Sequence, residues 1–361
     1  MMLGQMGSLH ALEQERGNPF WGRWLGRKLA SADTTARVYT GIRAKDIRLT
    51  LHCVYTGLKR NKMLKRRHRF HVLILDGHES SASYLRCCQG CRQRRIKTQN
   101  EGRVQFYHRQ VIAMLSEEKF PLLLDVESQR EGEDEVNCAL RLMERVLKNY
   151  PRSFDVVVAD ALYLRANFFN LLLDHHKDVI AVLKDDRREL LQDAEGLFAY
   201  EEPLVKQEGT TKREMWDIEQ FESWESLGRK VRVVRSLETK TVRRQMTGQK
   251  EEKTSEWIWA TTLSKKKAST QTIIYLGHDR WLIENRAINE LVTFWHADHV
   301  YRHHPQAIVS FLLTLFLVLN LFRAFLHLNI KPERRAKHTT LYFARLIFAG
   351  ISENIFNKAP P

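Results

Sequence analysis

The stretch FDVVVADALY, Phe154 to Tyr163, constrains this chain more than any other. An apolar, β-branched run of this kind has no polar face, so it fits a strand covered on both sides, as in a parallel sheet. It ends in one carboxylate, Asp160, and a strand that stops there delivers its charge to the edge of a sheet. Two further acids hold comparable places. Asp76 closes the apolar run HVLILDG at a strand-to-turn exit, and Glu284 sits in the helix-like DRWLIENRAINEL, where Trp281, Ile283, Ile288 and Leu291 supply an apolar face.

The segments around these acids set out a topology. Arg69 to Glu79 reads as the first strand; Val104 to Leu115 and Pro121 to Glu127, joined by a turn at Glu117 to Lys119, continue it as an antiparallel meander. Glu131 to Leu147 reads as a helix: Val136, Ala139, Leu140, Met143, Val146 and Leu147 share a face, and the acids crowd the first turn, where the helix dipole favours them. FDVVVAD follows as a strand parallel to the first, and Ala166 to Leu183 adds a helix and a strand. From about Asp185 to Lys267 the sequence is charged, aromatic and alternating, and EMWDIEQFESW, KVRVVRSLE and SEWIWATTL read as strands. Their Trp216, Trp224, Trp257 and Trp259, at strand spacing, read as packing residues rather than platforms for bases. From Gln271 onward the pattern is helical.

The expected fold is therefore α/β, a mixed sheet in the order β-β-β-α-β-α with a β-rich insertion before a C-terminal helix carrying Glu284. With carboxylates closing its first and fourth strands, this order is similar to the ribonuclease-H-like layout. The expected division is a basic helical region (1–68), the first part of the core (69–184), the β-rich insertion (185–268), the C-terminal helices of the core (269–332) and a basic tail (333–361).

Charge narrows the partners. A chain of 361 residues with a net charge of +15 attracts polyanions, and nucleic acid is the expected partner. Acids are few in the first 70 residues. Ser31 and Asp33 are candidate caps for a helix through Arg37, Ile47 to Leu58 has helical spacing, and Lys65, Arg66 and Arg67 end a basic cluster suited to a phosphate backbone. Five unevenly spaced cysteines outline no disulfide framework, and no signal segment opens the chain, so a reducing cytoplasm is expected. Ile308 to Phe322 is apolar but shorter than the roughly 20 residues of a bilayer span. It holds Asn320 and runs into Arg323, so it reads as a buried helix, and no membrane partner is expected.

Hard divalent cations take oxygen ligands, and phosphodiester chemistry by metal uses two of them about 3.5–4 Å apart. Asp76, Asp160 and Glu284 are the candidate ligands. Asp125, which also ends a strand, is a rival for the first position, but it belongs to the third strand. Cys88 and Cys91 have C-x-x-C spacing, with His78 or His108 as possible companions. A second C-x-x-C is missing, so structural zinc is not expected. The acids of GEDE, 132–135, read as a solvated helix start.

These motifs together resemble the DDE transposases of bacterial insertion sequences, specifically the IS-four group with a β-rich insertion between the second Asp and the Glu. The resemblance runs from about Phe70 to Pro332 and is most specific in DRWLIENRAINELVTFWHADHVYRHHPQAI, with FDVVVADALY as the second-Asp motif and LILDGHE as the first. It implies a transposase that cleaves the ends of an insertion sequence and joins them to target DNA. Its catalytic and metal-binding triad would be Asp76, Asp160 and Glu284, with two Mg²⁺ (or Mn²⁺) ions, and it would work on double-stranded DNA as a homodimer in a bacterial cytoplasm. The group's signature is Tyr, two residues, Arg, three residues, Glu, six residues, Lys. Arg280 and Glu284 fit it, whereas Gly277 and Leu291 stand at the Tyr and Lys positions. Arg280 is the candidate phosphate clamp or partner of Glu284, and Tyr275, His296, His299 and Arg302 are candidate substitutes for the missing contacts. Two alternatives share this fold: a nuclease that only hydrolyses, and an inactive DNA-binding relic.

Overall fold

The computed structural model describes residues 2–97, 102–184, 189–243 and 248–356, with side chains described through residue 350. The expected first residues of the insertion, 185–188, and the end of the expected basic tail, 357–361, lie outside the described residues. The ten strands are β1 (Val72–Ser83), β2 (Arg92–Lys97), β3 (Gly102–Ser116), β4 (Leu122–Ser128), β5 (Val156–Ala159), β6 (Asp178–Val182), β7 (Leu204–Glu208), β8 (Thr211–Phe221), β9 (Val231–Arg243) and β10 (Lys250–Thr261). They form a mixed sheet of order β2-β3-β1-β5-β6-β10-β9-β8-β7, with β4 also paired to β3. The run β4-β3-β1-β5-β6 is consistent with a ribonuclease-H-like core.

The chain divides into two compact units, and the boundary falls inside β1 between Asp76 and Gly77. The unit of residues 66–76 and 151–282 holds the first half of β1 and the strands from β5 to β10. Val72 to Leu75 and Val156 to Ala159 are buried on both faces, which is why each reads as an unbroken apolar run. β5 is parallel to β1 and to β6, and β10 runs antiparallel to β6. The β-rich insertion expected from the sequence therefore extends this sheet strand by strand, from β10 back to β7. Trp259 is fully buried; Trp224 packs on Phe169, Trp216 on Phe198, and Trp257 stacks on Trp259. Helix Thr270–Asp279 lies against β5, β6 and β9.

The other unit, residues 1–65, 77–150 and 283–361, is built around helix Pro305–Asn329. This helix is long and apolar enough to cross a membrane by length and composition alone, yet two thirds of its apolar window is buried. It packs on helix Ala32–Gly41, helix Ala44–Arg60 and β4. Asn320, the polar residue inside the apolar run, donates to the carbonyl of Leu123 at 2.8 Å and accepts from its amide at 3.0 Å, fastening the helix to β4. Ser31 caps helix Ala32–Gly41 by accepting from Thr34 N, and Asp33 lies in its first turn. Asp134 of the GEDE run caps helix Glu135–Asn149, while Glu133 pairs with Arg141 and Glu135 with Arg109.

One expectation needs correction here. The predicted three-strand meander gains a further strand, β2, whose RQRRIK is too charged to read as a strand yet pairs antiparallel with β3. Within the stretch expected as a basic tail, helices Pro332–Lys337 and Thr340–Phe356 occupy most of the described residues.

Candidate catalytic acids

The register of two parallel strands places Asp76 and Asp160. Val72, Leu73 and Ile74 pair with Val156, Val157 and Val158, so two residues further on Asp76 stands beside Asp160. Side chains alternate along a strand, and Asp160 still has extended backbone, so both carboxylates leave the sheet on the same side. Each is the first half-exposed residue after a fully buried run. Asp160 Oδ1 accepts from Ala161 N at 2.5 Å and caps the single turn Ala161–Tyr163, which ends the strand there. Next to Asp76, any Cβ at Gly77 would run into the buried Glu135 carboxylate, which is ion-paired to Arg109 at 2.7 Å.

Glu284 belongs to the other unit. It opens a π-helical turn, Glu284–Ile288, between the short helix Trp281–Ile283 and helix Asn289–Trp295. The helix expected from the sequence thus runs on through a π-helical turn that begins at Glu284. Such turns insert a residue into the helical ladder and recur at functional sites. Arg323 of the long helix steadies this one by donating to the Arg286 carbonyl at 3.0 Å and the Glu290 carboxylate at 2.8 Å. The Glu284 side chain is half-buried and, among the described residues, makes no hydrogen bond or ion pair.

Asp125 is of another kind. It is buried and gripped by Arg48 at 2.8 Å and Arg145 at 2.6 Å, within a ladder that continues through Glu127, Arg141 and Glu133. Its oxygens are committed to holding helix Ala44–Arg60 and helix Glu135–Asn149 to β4.

The basic candidates divide in the same way. Lys65, Arg66 and Arg302 are exposed. Arg67 is not exposed like its neighbours: it makes a two-pronged pair with Asp279 at 2.8 and 3.0 Å, so its fork is already filled. Arg280 is 8 % exposed, with its guanidinium 4.2 Å from the centre of the Trp281 ring. Tyr275 donates to Glu208 at 2.9 Å, His296 contacts the Gln5 carbonyl, and His299 packs edge-on against Tyr301. The two departures from the signature have physical causes. Gly277 lets helix Thr270–Asp279 press onto Trp259, whose indole would collide with any Cβ there, and Leu291 is a core residue at 1 % exposure.

The expectation of no structural zinc rested on a missing second pair of donors, and the fold supplies candidates for that pair. The missing pair of donors comes from His108 in β3 and from His303, 212 residues beyond Cys91, which gather with Cys88 and Cys91 in one cluster. His78 is not part of it. Burial, together with the neighbouring His303, pushes His108 down to about 4, so its ring is neutral near pH 7.

A mixed sheet of this order, with a carboxylate closing each of two adjacent parallel strands, is consistent with the ribonuclease-H-like fold of phosphoryl-transfer proteins. A model of the family described as transposase DDE domain matches residues 59–321, well over half of the chain, and the chain belongs to that family. No match was found among curated proteins. Membership implies DNA binding and transposase-type cleavage and strand transfer with divalent metal. The donors fit such an ion: Asp76, Asp160 and Glu284 offer hard oxygens, half-buried, and neither Asp160 nor Glu284 is tied to a basic side chain among the described residues.

Proposed function

We propose that this chain is the transposase of a bacterial insertion sequence of the IS-four group, with Asp76, Asp160 and Glu284 holding two Mg²⁺ (or Mn²⁺) ions. The ions would activate the attacking oxygen and stabilise the leaving one. The chain's own part is to present the acids on rigid strand ends, to steer DNA with the exposed Lys65, Arg66 and Arg302, and to set the π turn with Arg323. The neighbouring placement of Asp76 and Asp160 on β1 and β5 carries this reading, because register leaves neither side chain free to wander. The protein would act as a homodimer on paired element ends in the bacterial cytoplasm.

The test incubates purified protein with a plasmid carrying the gene with its native flanks, in Mg²⁺ or Mn²⁺, and scores both nicking at the element ends and joined products. Asp160→Asn should abolish both. Nicks without joining would replace the proposal by a hydrolytic nuclease; neither product, with metal adding nothing to thermal stability, would replace it by a DNA-binding relic.

A further inference from the structure

The geometry points to a second metal centre, a structural zinc site formed by Cys88, Cys91, His108 and His303. All four belong to the same compact unit, and their ligand atoms lie within 4.8 Å of one another. The individual separations are more telling. Cys88 Sγ and Cys91 Sγ are 3.8 Å apart; His108 Nε2 lies 3.4 Å from the first and 3.3 Å from the second; His303 Nε2 lies 3.6 Å from Cys91 Sγ. A tetrahedral zinc with Zn–S of about 2.3 Å and Zn–N of about 2.05 Å has S–S edges of about 3.8 Å and S–N edges of about 3.5 Å. These four separations lie close to the edges of that tetrahedron, and the two edges from His303 to Cys88 and to His108 are within 4.8 Å. Two thiolates and two imidazoles are the soft and borderline donors that select zinc over Mg²⁺, so this centre differs in kind from the carboxylate site.

The surroundings are built for it. The Cys88–Cys91 turn closes with the Cys91 amide donating to the Cys88 carbonyl at 3.0 Å and the Cys88 amide to Cys91 Sγ at 3.2 Å. Between the cysteines, Gly90 faces Pro305 and the His108 ring so closely that a Cβ would fall 2.9 Å from Pro305. Cys91 and His108 are buried, and no pair of them is bridged by a disulfide. The ion would pin the loop after β1 and strand β3 to the segment that leads from helix Asn289–Trp295 into the long helix. The segment bearing His303 is distant in sequence from the other two, and a metal fastening of this kind contributes directly to folding. The centre does not depend on the transposase reading, and its test is independent of DNA chemistry.

Metal content is measured by mass spectrometry on full-length protein purified under reducing conditions without added zinc. Wild type should carry about one tightly held zinc per chain. A zinc-selective chelator, with Mg²⁺ kept in excess, should lower the melting temperature, and zinc should restore it. Cys88→Ser/Cys91→Ser and His303→Ala should lose the ion, whereas Cys87→Ser and Cys53→Ser keep it. Should the ligand variants fail to fold, cobalt exchanged into wild type should give the thiolate charge-transfer and tetrahedral visible bands of an S₂N₂ site. Zinc far below one per chain with no cobalt spectrum would overturn the site, as would a Cys88–Cys91 disulfide in anaerobically purified protein, or zinc retained by both ligand variants.

Discussion

Replacing Arg323 by methionine tests whether the long helix sets the π turn that carries Glu284. Arg323 is 4 % exposed and donates to three acceptors: the Pro121 carbonyl at 3.1 Å, the Arg286 carbonyl at 3.0 Å and the Glu290 carboxylate at 2.8 Å. Methionine fills similar space and donates to none. Each carbonyl left without this donor costs about 1 kcal/mol, and the lost charged bond costs about 1.5–3 kcal/mol, at the low end because Glu290 keeps some solvent contact. Added apolar burial returns about 1 kcal/mol, so the net loss should be about 2–3 kcal/mol. Adding Glu290→Gln removes the stranded charge and keeps an acceptor for the Trp295 indole, and should recover about 1 kcal/mol. Urea unfolding measures the stabilities, and amide exchange should show faster opening over residues 284–295 in Arg323→Met than over β3. Strand cleavage should then fall more than the folded fraction does. A stability loss below about 1 kcal/mol, or unchanged exchange over the π turn, would refute the argument.

Other outcomes follow from the same contacts. Asp76→Asn or Asp160→Asn should remove cleavage and any Mg²⁺-dependent rise in melting temperature while leaving the fold intact by circular dichroism. Asp125→Asn should instead lower stability by about 3 kcal/mol, since it strips charge from a buried pair of guanidinium contacts, and the surviving folded protein should still cleave. Gly277→Tyr, which restores the family's signature residue, should destabilise the chain and not improve cleavage, because the new side chain meets the Trp259 indole; wild-type stability in that variant would show that the helix moves away. The Glu208 carboxyl is held down to about 2 by hydrogen bonds from Lys206 and Tyr275 and by Arg213. A folded value below the unfolded one stabilises above pH of about 4.5, and this contribution is lost as pH falls toward 2. Glu208→Gln should therefore lower stability above pH of about 4.5 and flatten the acid limb of a stability–pH curve, leaving its shape above pH of about 6 the same.

The strands bearing the two aspartates were legible because burial on both faces writes itself as an unbroken apolar run, and VLIL and VVVA are such runs. The long helix was legible for a related reason: Asn320 and Arg323 interrupt an otherwise apolar stretch just where β4 offers backbone partners. Strand β2 was hidden, since its side chains are mostly solvated and only its backbone pairing makes it a strand. The zinc ligands were half hidden. C-x-x-C is a local pattern, but His303 reaches it through tertiary folding, and no local rule separates that histidine from His296, His299 or His304. The cue within the sequence was the conjunction of Gly90 with two flanking cysteines, a turn that only a side chain without Cβ allows against Pro305.

What most sharply separates Asp160 and Glu284 from the other half-buried or buried acids is their company. Asp125, Glu127, Glu133, Glu135, Asp217 and Glu290 are all as deeply placed as the triad or more so, and each is neutralised by an arginine. In a chain with 58 lysines and arginines against 43 acids, a half-buried carboxylate with no basic partner is an exception to a strong electrostatic tendency. Asp160 and Glu284 are two such exceptions among the described residues. An unneutralised carboxylate at a strand end or on a π turn costs stability, and a bound divalent cation reverses that cost. The fold surrounds its structural acids with guanidinium groups and, among the described residues, leaves Asp160 and Glu284 without one, which sequence alone could not show.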